Sequence, residues 1–132
     1  MLEYQTNPSA SPESIAALRR SVGWGGMEAE LRNPALRDYL TIACYDGDEL
    51  VGFLDVVSNG VTDAYIQDVM VRPDYQGGGI GTELMNRAME RLKNDRIYMI
   101  SVIYGEESLR PFYERFGFCT MLCGQMETRP ES

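Results

Sequence analysis

Residues 69–89 read VMVRPDYQGGGIGTELMNRAM, and how this turn is read decides the fold. The stretch opens on β-branched residues, bends at Arg72-Pro73-Asp74, and passes through Gly77, Gly78, Gly79 and Gly81 into a helical pattern. Glycine lacks a Cβ and adopts positive φ freely, so a run of it brings backbone N–H groups close to a ligand, at an entropic cost to folding. Downstream, Ile80, Leu84, Ala88 and Leu92 recur with the 3.6-residue period, with Met85 and Met89 beside them. The glycines therefore stand at the N-terminus of an amphipathic helix, where unpaired N–H groups and the helix dipole favour an anion.

Two familiar phosphate loops are excluded by spacing. A Walker loop needs the pattern GxxxxGK[ST], and neither the Lys nor the hydroxyl residue follows at that spacing here. A dinucleotide fingerprint needs a third glycine five positions after the first, and that position holds Thr82 counted from Gly77 and Leu84 counted from Gly79. A plain flexible turn accounts for one or two glycines and poorly for this run. The pattern that remains is [QR]-x-x-G-x-[GA], met by Gln76, Gly79 and Gly81.

Outward from the loop, AYIQDVMV (64–71) reads as the strand that feeds it. LTIACY (40–45) and ELVGFLDVV (49–57) flank Asp46-Gly47-Asp48 as a hairpin, with Ser58-Asn59-Gly60 the next turn. Nearer the start, LEYQT (2–6) reads as a strand. Ser11 as N-cap and Pro12 as first helical residue then open a helix that stops at Gly23. GWGG (23–26) holds Trp24, and weaker helical stretches follow at 27–31 and 34–39. Beyond the glycine helix, with Asn94 as its C-cap, come a strand IYMISVIY (97–104), a short helix EESLRPFYERF (106–116) ended by Gly117, and a last strand FCTMLCGQMET (118–128). The order β-α-α-β-β-β-α-β-α-β predicts one α/β domain over 1–132: a mixed sheet with helices packed on it and a ligand crevice where two crossovers leave the middle strand.

Composition narrows the function. A hydrophobic fraction of 44% and a charged fraction of 24% are ordinary for a globular chain. No apolar run reaches the roughly 18 residues of a membrane span, and the N-terminus has neither a basic start nor an apolar core, so a cytoplasmic protein is expected. A net charge of −8 argues against a nucleic-acid surface and favours a cationic or neutral substrate. Cys44, Cys119 and Cys123 have no metal-ligand spacing and the chain has no histidine, so no metal site and no imidazole base are expected.

The loop, its strand and the later FYERFGF (112–118), a tyrosine in a short helix closed by glycine, together resemble the GCN5-related N-acetyltransferase (GNAT) superfamily, most specifically over 64–118. The resemblance implies an acyl-CoA N-acyltransferase fold whose central strands splay to admit acetyl-CoA. It implies that the amides of Gln76, Gly77, Gly78, Gly79, Ile80, Gly81 and Thr82 bind the pyrophosphate, and that the backbone of Val69 and Val71 holds the pantetheine arm. An amide near Met70 would meet the thioester oxygen, and Tyr113 would protonate the leaving thiolate, a task its reference pKa near 10 suits.

The general base stays open in this reading. Relatives place a base at the position of Gln67, and an amide cannot take a proton at neutral pH. Strand alternation points Asp68 to the opposite face; a bulge that re-aims it, Asp55 acting through water, or an acceptor entering as free amine are the alternatives. Substrate contacts in the family nominate Trp24 and Asp55, with Phe53, Cys119 and Met121 after them; Trp24 is equally a candidate core anchor. A partner subunit completing the site, as in a homodimer, is a further expectation. The implied function is acetyl transfer from acetyl-CoA to a primary amine on a small molecule or peptide, by direct attack in a ternary complex. The rival is a related domain that binds acyl-CoA without turnover.

Overall fold

The computed structural model describes residues 1–129, and its five strands form one sheet in sequence order. Strands β1 (Leu2–Thr6), β2 (Leu40–Asp46), β3 (Glu49–Ser58) and β4 (Asp63–Val71) are antiparallel neighbours, and β5 (Met99–Val102) runs parallel to β4. Helices α1 (Pro12–Ser21) and α2 (Glu28–Leu31) lie between β1 and β2 in the chain, α3 (Ile80–Asn94) between β4 and β5, and α4 (Arg110–Glu114) follows β5.

Alternation along the strands builds two cores. Leu40, Ile42, Cys44, Leu54, Val56, Ala64 and Ile66 pack against Ile80, Leu84, Met85, Ala88 and Leu92 of α3. On the opposite face Ala43, Phe53 and Met70 meet Leu18 of α1. Leu84, Met85 and Leu92 are fully buried, and each such side chain contributes about 1.5–3 kcal/mol by leaving water. The periodicity read from the sequence is thus the face that holds α3 down. Gly52 lets the helix come closer still: a Cβ there would lie 2.7 Å from Ile80 Cγ2. The first turn of α3 consequently rests on the backbone of β3.

The N-terminus of α1 is capped as its sequence predicts, with the Ser14 N–H donating to Ser11 Oγ at 3.1 Å and Pro12 in the first turn. Several boundaries differ from expectation: β5 covers only Met99–Val102 of the strand read over 97–104, and the helix read over 106–116 is a 3-10 turn at Glu107–Leu109 followed by α4. Residues 34–39 form no helix, because Asn33 closes a local turn instead: its Oδ1 accepts the Ala35 N–H and its carbonyl the Leu36 N–H, both at 2.9 Å. Asn94 is the last residue of α3, and Asp95 takes the C-cap. The segment 118–128 forms no strand, and its residues from Cys119 onward are exposed. Its apolar side chains Met121, Leu122 and Met126 find no face to bury, and strand propensity without a partner surface is weak.

The feature that positions the site is the seam between β4 and β5. Pairing runs from Asp63↔Met99 to Ile66↔Val102 and stops. β4 continues to Val71, so among the described residues its edge from Gln67 onward has no neighbouring strand.

Candidate active site

Where the pairing stops, β4 carries a bulge. Phe53 pairs with Met70 and Asp55 with Gln67, so one residue of β3 faces two of β4. Asp68 takes φ 54°, in the left-handed region. The extra residue reverses the alternation: Val69 and Val71 pack toward the α3 core, whereas Met70 joins the α1 core. Asp68 is thereby turned to the same side as Asp55, and the expectation that alternation points it away is corrected. Arg19 of α1 holds it there by an ion pair at 3.0 Å.

Backbone polarity follows from the same register. The Arg72 N–H donates to the Val51 carbonyl at 2.8 Å, so Gly52↔Val71 is a non-hydrogen-bonded pair and Met70 bonds to β3. The groups turned to the seam are those of Val69 and Val71, and the amide of Met70 itself is spent within the sheet. The Val71 carbonyl accepts from Gln76 Nε2 at 2.9 Å. Gln76 therefore ties the loop to the open edge, and its own N–H donates to Pro73 at 3.3 Å.

Past Gln76 the loop presents amides. Gly79 is the N-cap of α3 at φ 91° with no side-chain cap, and the first helical bond is Glu83 N–H to the Gly79 carbonyl at 3.0 Å. Among the described residues the N–H groups of Gly77, Gly78, Gly79, Ile80, Gly81 and Thr82 have no acceptor. Six unpaired donors at the positive end of a 15-residue helix suit a multiply charged anion. Arg115, a residue the sequence reading left out, adds a cation by donating to Thr82 Oγ1 at 2.9 Å. Arg72 points elsewhere, paired with Glu49 and with Asp74.

Tyr113, on α4, belongs to the α3-side core, against which Val69 and Val71 of β4 also pack. It is 7% exposed, stacked on Tyr104 at 4.9 Å and edge-on to Phe112 at 4.9 Å. Burial, then the neighbouring Tyr104, pushes its phenol up to about 12. The proton stays on the oxygen through the physiological range, as a proton donor requires. Tyr104 Oη pairs with Thr120 Oγ1 at 2.6 Å.

The bulge side is acidic. Asp55, on β3, is the buried charged residue of the sheet at 8% exposure, and its Oδ1 has no hydrogen-bond partner. Burial first, then the charges of Asp68 and Asp38, push its carboxyl far above the usual carboxylate range, against the pull of Arg19. Asp38 is likewise pushed up by burial and by Asp68. Trp24 stands 39% exposed with the Arg19 guanidinium 5.4 Å from its ring centre, so it lines this side and is no core anchor. Arg19 and Asp38 carried no motif; only their place on α1 and before β2 brings them here.

The five-stranded mixed sheet with its open β4 edge and the glycine-led α3 is the fold of the acyl-CoA N-acyltransferases. The acetyltransferase (GNAT) family model matches residues 5–118. The chain belongs to the GNAT acetyltransferase family. It is 27% identical over 118 residues to the uncharacterized N-acetyltransferase ycf52 of Pyropia yezoensis, covering 86% of this chain and 67% of that protein. To a ycf52-like uncharacterized N-acetyltransferase of Prochlorococcus marinus it is 31% identical over 109 residues, 79% of this chain and 60% of the relative. Among solved structures, a probable acetyltransferase of unknown function from meticillin-resistant Staphylococcus aureus superposes with a TM-score of 0.82 at 27% identity, covering 98% of this chain and 100% of the other. Among the described residues no helix is long and apolar enough to cross a membrane.

Proposed function

We propose that the seam binds acetyl-CoA and that the protein transfers the acetyl group to a primary amine, by direct attack with both substrates bound. The observation that carries this reading is the open β4 edge, which leads by way of Val71 and Gln76 to the six unpaired amides. The residues fit the co-substrate: amides for a pyrophosphate, strand-edge groups of Val69 and Val71 for an extended amide-bearing arm, and a protonated phenol for a departing thiolate.

In this mechanism the amine nitrogen attacks the thioester carbonyl carbon. The Val69 N–H, turned to the seam beside the bulge, donates to the oxygen as it gains charge; a fixed donor of this kind contributes about 3–4 kcal/mol. The C–S bond breaks, and Tyr113 gives its proton to the sulfur. Asp68 takes the proton released by the nitrogen. Gln67, at the position where relatives carry a base, has no part in that transfer.

Gln67 also favours the second reading, a domain that binds acyl-CoA without turnover. Thermal-shift titration with acetyl-CoA, CoA and ATP, followed by thiol release with an amine panel, separates the possibilities. A saturable rise with both CoA compounds and amine-dependent thiol release are expected. A rise without release against every amine leaves binding alone, and no rise with millimolar acetyl-CoA removes both readings.

A further inference from the structure

Asp55 is an acid set into the dry middle of a sheet. Leu54 and Val56 pack toward α3 and Phe53 toward α1, so alternation puts Asp55 beside Phe53 on the α1 side. The residue is 8% exposed and its Oδ1 is buried with no hydrogen-bond partner. A carboxylate oxygen left there without a donor is expensive. A protonated carboxyl brings its own hydrogen and needs only an acceptor.

The bulge supplies that acceptor. Asp55 pairs in register with Gln67, and Asp68, the next residue of β4, is turned to the α1 side at φ 54°. Arg19 grips Asp68 Oδ1 at 3.0 Å and is itself fixed by donating from Nε to the Gly25 carbonyl at 2.6 Å. The Asp68 side chain is therefore held between a guanidinium on α1 and the Asp55 carboxyl on β3, with which it shares a hydrogen bond.

We propose that Asp55 is a positioning residue for acetyl transfer: as a neutral acid it donates to the Asp68 carboxylate and holds that group charged and oriented for the acceptor amine. This rests on the acetyl-transfer reading, in which Asp68 receives the amine proton. Two carboxyls so close share one proton instead of both ionising. Burial first, then the charges of Asp68 and Asp38, keep it on Asp55 against the pull of Arg19. Tyr65 of β4, whose phenol burial pushes up, is a further titratable group that senses both acids. As the nitrogen bonds to the acetyl carbon, its N–H bond breaks and the proton passes to Asp68. The pair then carries two protons and no charge, while the sulfur leaves with the C–S electrons and the Tyr113 proton. Asp55 touches neither substrate and changes no bond of its own.

Kinetics and carboxyl carbon-13 NMR test this together. Asp55→Ala, which lacks the donor, is expected to lower kcat by about tenfold or more, with the KM for acetyl-CoA unchanged within about twofold. Asp55→Asn keeps a donor of the same shape and should recover kcat to within about threefold of the wild type. Equal losses in both variants, or a loss confined to KM, would leave Asp55 a packing role only. The NMR titration of carboxyl-labelled aspartates needs neither substrate nor the Ala variant, and the signal missing in Asp55→Asn assigns Asp55. Its carboxyl should stay protonated in the folded protein well above pH 4, where an ordinary Asp ionises. In Asp68→Asn its midpoint should fall by about one pH unit or more, since the neighbouring charge is gone. An Asp55 that ionises near pH 4, or a midpoint that Asp68→Asn does not move, overturns the proposal. Thiol release beside such a result leaves acetyl transfer standing without it. The expected titration with no thiol release from any amine removes the transfer reading and the role of Asp55 with it.

Discussion

The rings of Tyr104 and Tyr113 lie face to face, 4.9 Å between centres and 10° from parallel. The tyrosine just past β5 and the one on α4 thus pack as one unit at the edge of the α3-side core. Stacking of this kind is worth about 0.5–1.5 kcal/mol beyond the area it buries.

Tyr113→Phe keeps that stack and removes only the oxygen. Its kcat is expected to fall by about 100-fold or more, with the Kd for CoA unchanged within about twofold. Tyr104→Ala should act oppositely, lowering the melting temperature while Tyr113 keeps its proton. Stopped-assay kinetics beside CoA titration distinguish them; a parallel loss of CoA affinity in Tyr113→Phe would mean a packing role alone.

Asp55 makes stability depend on pH. Its folded-state pKa is raised, so above about pH 4, where an ordinary Asp ionises, the folded protein holds a proton that the unfolded chain has released. Stability therefore falls as pH rises from about 4 through the raised value. Asparagine at 55 cannot ionise. Asp55→Asn should melt at least about 2 °C higher than the wild type at pH 8 and show no gain at pH 4. Melting curves across that range settle the sign.

Asp68 sits at φ 54°, a conformation that Asn and Asp tolerate and a β-branched residue does not. Asp68→Asn is expected to fold like the wild type and to lose at least about tenfold in kcat. Asp68→Val should lose about 1–2 kcal/mol of stability as well. A fully active Asp68→Asn would mean that the acceptor enters as the free amine and needs no carboxylate base.

Two glycines near the loop differ in what they permit. Gly79 needs its positive φ of 91° but has open space around a Cβ, so Gly79→Ala costs about 1–2 kcal/mol through backbone strain. Gly52 has ordinary φ and no space, and Gly52→Ala forces Ile80 and the start of α3 outward. Chemical denaturation should show both losses. CoA affinity is expected to fall more in Gly52→Ala, because the whole amide-bearing end moves.

The glycine run, the periodicity of α3 and the FYERFGF helix were legible because each is a local pattern with its cause nearby in the chain. The helix start after the loop and the short helix that carries Tyr113 could be named from those patterns alone. Asp68 could not be placed, since one unpaired residue in β4 reverses the side to which it points, and no residue type announces a bulge. Arg19 and Asp38 acquire their meaning only through the distances that α1 and the turn before β2 impose. The segment 118–128 failed in the other direction: its apolar residues look like a strand, but alternation predicts a strand only when a partner surface exists.

The short parallel ladder has a consequence for handling the protein. From Gln67 to Val71, β4 displays a strand edge on which any extended peptide, including another copy of the chain, can add a row of hydrogen bonds. The Gln76 side chain blunts only the Val71 end of that edge. Whatever fills the seam also shields the chain from self-association, so concentrated stocks should keep longest with that edge occupied.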